Sequence, residues 1–257
     1  KLYNERKPAD KRLHFFYFHG GDLQAHEGLF QKFVIRLKGK DQDFRSNYVE
    51  LDYKVEAFSI KFPKDKKETA LKIELPRLLL KELGVKFDES AKMEGKCLGY
   101  GLENSTLKLS SNDKVCIHIS IPEVRWDKDV TPKMAKWLIE EFCLRDIPKD
   151  TPEFFFFYSI EYDEEKSEIK EEIESSMQVA EYTLEIPELG MVKNTDIEEW
   201  FTDYESLWKR KSAFIRAKKK WMQETDEEMY MLDVQELLEE IINEINNDEK
   251  KQSRNSK

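Results

Sequence analysis

Residues 14–37, HFFYFHGGDLQAHEGLFQKFVIRL, constrain the fold more than any other stretch of the chain. Phe15, Phe16, Tyr17 and Phe18 run without alternation, the pattern of a strand buried on both faces. Gly20 and Gly21 follow and predict a turn. Beyond a short polar loop, Leu29, Phe30, Phe33, Val34 and Leu37 repeat with the period of an amphipathic helix that starts near His26. Strand, double glycine and helix in this order predict a strand–loop–helix unit of an α/β layer.

The same spacing can be set against the phosphate-binding loop G-x-x-x-x-G-K-[ST]. There the backbone N–H groups and the lysine hold phosphates, and the hydroxyl binds Mg²⁺. Gly20 takes the first position. Ala25 then stands at the second glycine, His26 at the lysine and Glu27 at the hydroxyl. A carboxylate at that place repels a phosphate, so the frame predicts the architecture without the chemistry. Gly20, Gly21, Ala25, His26 and Glu27 are the positions where a nucleotide loop would lie. The reading preferred for His26 and Glu27 is structural: residues at a helix start that hold the loop against the sheet.

Other routes to chemistry fail on spacing. His26-Glu27 is followed by Gly28, Leu29 and Phe30, so the H-E-x-x-H zinc pattern is absent. His14, His19, His26 and His118 have no acid or cysteine partners at ligand spacing, and no metal or other cofactor is expected. Cys97, Cys116 and Cys143 form no C-x-x-C pair; Cys116 and Cys143 sit in apolar runs and read as buried thiols, and a reducing, cytoplasmic compartment is expected. Ser120 lacks a G-x-S-x-G turn. Glu123 is the acid nearest the position of a Walker B residue, and Arg125 beside it is placed to meet a nucleotide or pair with a surface acid. No catalytic residue is assigned.

The rest of the chain extends the α/β pattern. Residues 1–13 are polar and are expected to link the domain to an upstream part of a longer protein. Strands are predicted within 48–62, at 115–121, at 154–160 and at 178–186. Helices are predicted at 66–84, with a defect at Pro76 and a C-cap at Gly84, and from Thr131-Pro132 onward, while 86–113 reads as a short helix in a long loop. Capping boxes at Thr195-x-x-Glu198 and Thr225-x-x-Glu228 open further helices, with a long one near 203–223 between them. The expected fold is a mostly parallel sheet of about five strands with helices on both faces, like that of P-loop NTPases, and a helical C-terminal extension. The expected boundaries are a core at 14–206, C-terminal helices at 207–246 and a disordered tail at 247–257.

Charge limits the partners. The net charge of −10 argues against a protein that coats nucleic acid. No stretch is long and apolar enough to span a membrane. Between Trp208 and Trp221 lie seven basic residues, Lys209, Arg210, Lys211, Arg216, Lys218, Lys219 and Lys220. On a helix they oppose an apolar side of Trp208, Phe214, Ile215 and Trp221. They form either a solvated face paired with the acidic helices or an interaction face for nucleic acid or an acidic partner. The seam of Val234, Leu238, Ile241 and Ile245 packs on its own domain, a partner helix or a second copy.

Four places together resemble the inactive STAND domain, a degenerate relative of the STAND signalling ATPases of the NACHT and NB-ARC kind. The first is HFFYFHGGDLQAHEGLFQKFVIRL, similar to a Walker A frame with a histidine at the lysine position. The second is the series VCIHISIPEVRW, KWLIEEF and FFFFYSIEYD, a strand, helix and strand without a Walker B aspartate. The third is IPELGMV followed by DIEEWF, and the fourth is the leucine-rich LPRLLLKELGV. The resemblance covers residues 14–206. It implies a non-hydrolysing sensor or scaffold module of bacterial antiviral defence, joined to adaptor or effector proteins or to other domains of the same chain, with self-association as a further mode. Two rival expectations stand beside it: a nucleotide-binding switch without efficient hydrolysis, and a nucleic-acid-binding module built on the basic helix.

Overall fold

In the computed structural model, residues 12–39, 52–86, 92, 93, 95–163, 167–177, 183–186, 190–204, 211–224, 227–241 and 243 are described. The chain divides into two compact units, Lys1–Asp22 with His26–Glu188, and Leu23–Ala25 with Leu189–Lys257. The boundary expected at 206 falls inside the second unit. The proposed linker up to residue 11 and the tail at 247–257 lie outside the described residues.

The first unit is built on a five-stranded sheet in the order β2-β3-β4-β1-β5, with every pair parallel. Its strands are β1 (Leu13–Gly21), β2 (Val55–Lys61), β3 (Lys114–Pro122), β4 (Glu153–Tyr162) and β5 (Thr183–Glu185). The three apolar runs became the three central strands, as burial on both faces requires. The half-exposed 48–62 stretch supplied the edge strand β2, and residues 48–51 are not among those described.

The chain leaves β1 through helix α1 (His26–Leu37), crosses to the far edge at β2, then returns strand by strand over the opposite face. The return uses α2 (Glu68–Glu82), α3 (Leu98–Asn104), α4 (Thr131–Trp137) with a π-helical continuation at Leu138–Cys143, and α5 (Ser167–Ser176). Reversal of direction with a change of face is what right-handed crossovers demand. The two faces are therefore unequal. Phe18, Phe30, Val34, Cys116 and Phe157 bury under α1 alone among the described helices. The opposite face carries the larger core, with Leu71, Leu75 and Leu79 of α2, Met134 and Leu138 of the α4 segment, and Ile173 of α5.

Two local expectations shift. Gly20 and Gly21 do not make the turn: they are the last residues of β1, in register with Glu161 and Tyr162 of β4. Pairing within the sheet holds the glycines extended, and the chain turns only in the 3-10 segment Asp22–Gln24. Thr131 is the first helical residue rather than the cap, since the Asp127 carboxylate takes the N–H groups of Asp129 and Val130. Gly84 does end α2 as expected. It sits at φ 75, with its N–H bonded to the Lys81 carbonyl and that of Val85 to the Leu80 carbonyl, a Schellman motif.

The second unit pairs β6 (Val192–Lys193) with β7 (Glu228–Met229) in antiparallel fashion and contains α6 (Asn194–Tyr204), α7 (Lys211–Glu224) and α8 (231–241). Ile197, Phe201, Phe214, Ala217, Trp221, Val234 and Ile241 form its core. Helix α6 starts one residue before Thr195, and the acceptor that returns to the backbone is Asp196, bonded to Lys193 N–H at 3.0 Å. Thr225 lies outside the described residues. Among the described residues no helix is long and apolar enough to cross a membrane.

Candidate crevice at the ends of strands β1 and β4

Neighbouring strands β1 and β4 send their following helices to opposite faces, which opens a crevice beyond their carboxyl ends. In open α/β sheets that switch point is where ligands bind. Gly20, Gly21, His26 and Glu27 all lie at this crevice or at the helix start beside it. Ala25, the residue just before α1, has φ 52. A left-handed backbone at an alanine costs about 1–2 kcal/mol.

The side chains gathered here are mostly carboxylates. Glu161, opposite Gly20, has a pKa raised first by burial and then by the negative charges of Glu27 and Asp22, with Lys61 opposing. His26 is buried, with Nδ1 3.8 Å from the Glu161 carboxylate and its ring edge-on to Phe18. His26 thus faces a protein acid at the start of α1. Glu123 accepts the Asp163 N–H at 3.1 Å, tying the end of β3 to the residue after β4. Arg125 donates to the Phe62 carbonyl beyond β2. An anion entering between these groups meets repulsion from three carboxylates, so the crevice has the topology of a phosphate site and the electrostatics of its opposite.

His19 points to the other face, where its Nδ1 lies 3.1 Å from the Tyr162 hydroxyl and its Nε2 3.9 Å from Glu185. It ties β1 to both its neighbours. His118 is likewise structural. Nδ1 meets the Ser59 hydroxyl at 3.0 Å, Nε2 meets that of Ser159 at 2.7 Å, and Phe30 stacks on the ring. Burial pushes its pKa down to about 4, so it is neutral at pH 7. With a serine on each side and no carboxylate orienting the ring, the arrangement lacks the acid of a catalytic triad. The free thiols of Cys97, Cys116 and Cys143 are buried, and burial raises the pKa of Cys116 to about 12. Among the described residues no cluster of three or more His, Cys, Asp or Glu side chains is placed to hold a metal ion.

The basic segment is only partly described. Lys209 and Arg210 lie outside the described residues, and Lys211 is the first residue of α7. Arg216 and Lys219 are exposed, Lys218 and Lys220 half-buried. The apolar side differs from the expected one. Phe214, Ala217 and Trp221 are buried, whereas Ile215 is 55% exposed. Spacings of three and four select the true stripe, and Ile215 is rotated off it.

Asp22, Glu161 and Tyr162 were missed from sequence. Glu161 and Tyr162 close an aromatic strand, and only the parallel register brings them to Gly20 and Gly21. Residues 2–160 match a family model described as inactive STAND. The match ends within β4, so the IPELGMV and DIEEWF stretches lie beyond it. No curated protein matches the chain.

Proposed function

The chain belongs to the inactive STAND family, and on that premise we propose that it is a non-hydrolysing sensor and scaffold module of a bacterial antiviral signalling protein. In this reading it is not an enzyme. It acts in the cytoplasm through contacts with other domains of a longer chain or with adaptor and effector proteins. The observation that supports the reading is the crevice at β1 and β4, where the charges of Glu27 and Asp22 crowd Glu161, together with a sequence in which no lysine follows Ala25. Hydrolysis needs positive charge where negative charge develops, and this crevice supplies the reverse. Buried free thiols support a reducing compartment.

The test is phosphate release from ATP and GTP with Mg²⁺, combined with affinity capture of partners by the full-length protein. The expected result is no turnover above background and capture of a defined adaptor or effector. Turnover that disappears in Glu161→Gln or Glu123→Gln overturns the reading.

A further inference from the structure

A second concavity lies in the first unit, on the sheet face opposite α1. It is a cleft of about 540 Å³ between α2, the connection before α3, and the α4 segment. Five cations line it: Lys72, Arg77, Lys92, Lys96 and Arg145. Glu141 is the one carboxylate among the described lining residues. Like charges gathered around a cleft repel one another, and an anion bound among them relieves that repulsion.

Two of these cations make only weak pairs. Lys72 has Glu68 at 4.0 Å, and Arg145 has Glu141 at 3.8 Å and Asp146 at 3.6 Å, all between side chains more than a third exposed. Such exposed pairs are weak and exchange readily for a better acceptor. A phosphate offers Arg a bidentate partner and Lys a point charge.

The walls also carry apolar and aromatic surface. Trp137 is half-buried at the cleft, with Lys72 Nζ 5.7 Å from its ring centroid, and Ile73 is 45% exposed. Both helices forming the walls are irregular at this point. Pro76 sits inside α2 and offers no N–H to the Lys72 carbonyl. The opposite wall continues as a π-helix, with Leu144 N–H reaching the Ile139 carbonyl five residues back. Single π turns inside helices recur at functional sites. Cations for phosphates, an aromatic ring for a base and a volume within the usual range of small-molecule pockets converge on one ligand chemistry.

We propose that this cleft binds a phosphorylated ligand of the nucleotide class, its phosphates held by the Lys and Arg side chains and its base against Trp137. The cleft supplies the ligand that the sensor reading requires and to that extent rests on it. Failures of the two are separable: ATP turnover refutes the sensor reading, whereas absence of binding refutes the cleft.

Titration calorimetry of the full chain with ATP, tripolyphosphate and adenosine, at low and physiological salt, tests the proposal. ATP is expected to bind more tightly than tripolyphosphate, adenosine not measurably, and affinity for ATP to fall with salt. Lys92→Glu, at an exposed position, and Arg145→Glu weaken ATP binding about tenfold or more, and Trp137→Ala about tenfold while leaving tripolyphosphate unchanged. Glu161→Gln leaves binding as it is. Thermal melts of each variant confirm folding, and Lys92→Glu keeps the test valid should the others unfold. The proposal is overturned by the absence of ATP binding below millimolar, by tripolyphosphate binding as tightly as ATP with no effect of Trp137→Ala, or by loss of binding in Glu161→Gln alone.

Discussion

The crevice at β1 and β4 and the cleft between α2 and the α4 segment divide between them what a phosphate site needs. The crevice has the topology: a switch point, a glycine-ended strand and a helix start. Its charge is wrong, because Glu161 is crowded by Glu27 and Asp22. The cleft has the charge and lacks that topology, its cations coming from two helices and a connecting loop. Topology decides where a concavity forms, and side chains decide what it accepts. The two faces of the sheet also differ in support: among the described helices the one behind Phe18 and Phe157 leans on α1 alone, and the one on the cleft side on several.

That difference in support predicts the largest effect. Phe30 is 1% exposed and packs on His118 and Phe157, anchoring α1 to its face of the sheet. Phe30→Ala is expected to cost about 3–5 kcal/mol in urea unfolding. If ATP affinity at the cleft survives below the unfolding transition, the two faces are independent, and joint loss breaks the comparison.

His118 gives the same face a pH dependence. Its pKa falls from 6.5 in the unfolded chain to about 4 in the folded one, because burial penalises the charged ring. The unfolded state therefore binds more protons between these values. The stability is fully present above pH 6.5 and is lost as pH falls through about 4, a contribution of about 3 kcal/mol. His118→Gln should flatten the stability profile between pH 7 and 4.

Gly84 tests the cleft side. A Cβ there would collide with Thr106 Oγ1, and the backbone sits at φ 75. Gly84→Ala is expected to cost about 2 kcal/mol, since the left-handed backbone is strained even after Thr106 rotates away. It loosens the end of a cleft wall and should weaken ATP binding without altering the titration of His118.

Sequence periodicity reaches the elements and stops short of their neighbours. Phe154, Phe156 and Tyr158 announce a buried strand, and Leu71, Leu75 and Leu79 a buried helix face. Strand order is different, because β4 joins β1 across more than a hundred residues and no local signal marks the pairing. Gly20 and Gly21 read as a turn for the same reason, as only the ladder to Glu161 and Tyr162 holds them extended. The compact basic run at 208–221 is conspicuous in the sequence, whereas the cleft's cations are scattered from Lys72 to Arg145 and meet only in the fold. Strand β7 is two residues long and has no period to detect.

Charge at the crevice gives a smaller effect. Because burial and the neighbouring acids raise the Glu161 pKa, its ionised form is disfavoured in the folded state. Its contribution to stability is present at low pH and lost as pH rises through the raised value. Glu161→Gln should therefore stabilise the protein at pH 7, by less than about 1 kcal/mol, and the gain should fade towards pH 4. A destabilised Glu161→Gln protein would mean that His26 needs the charge, and the crevice would then be a built ion pair rather than a crowd of acids.

A similarly small effect falls on Ala25, where two terms oppose each other. Glycine relieves the left-handed backbone at φ 52, which favours the folded state by about 1–2 kcal/mol. It also gives the unfolded chain more freedom, which returns about 0.4–1 kcal/mol. Ala25→Gly is thus expected to raise stability by roughly 0.5–1 kcal/mol. Because the change restores a glycine to the loop frame without adding a cation, it should leave ATP turnover at background. Turnover appearing in this variant alone would mean that the backbone at Ala25, rather than the carboxylates of Glu161, Glu27 and Asp22, is what keeps the crevice inactive.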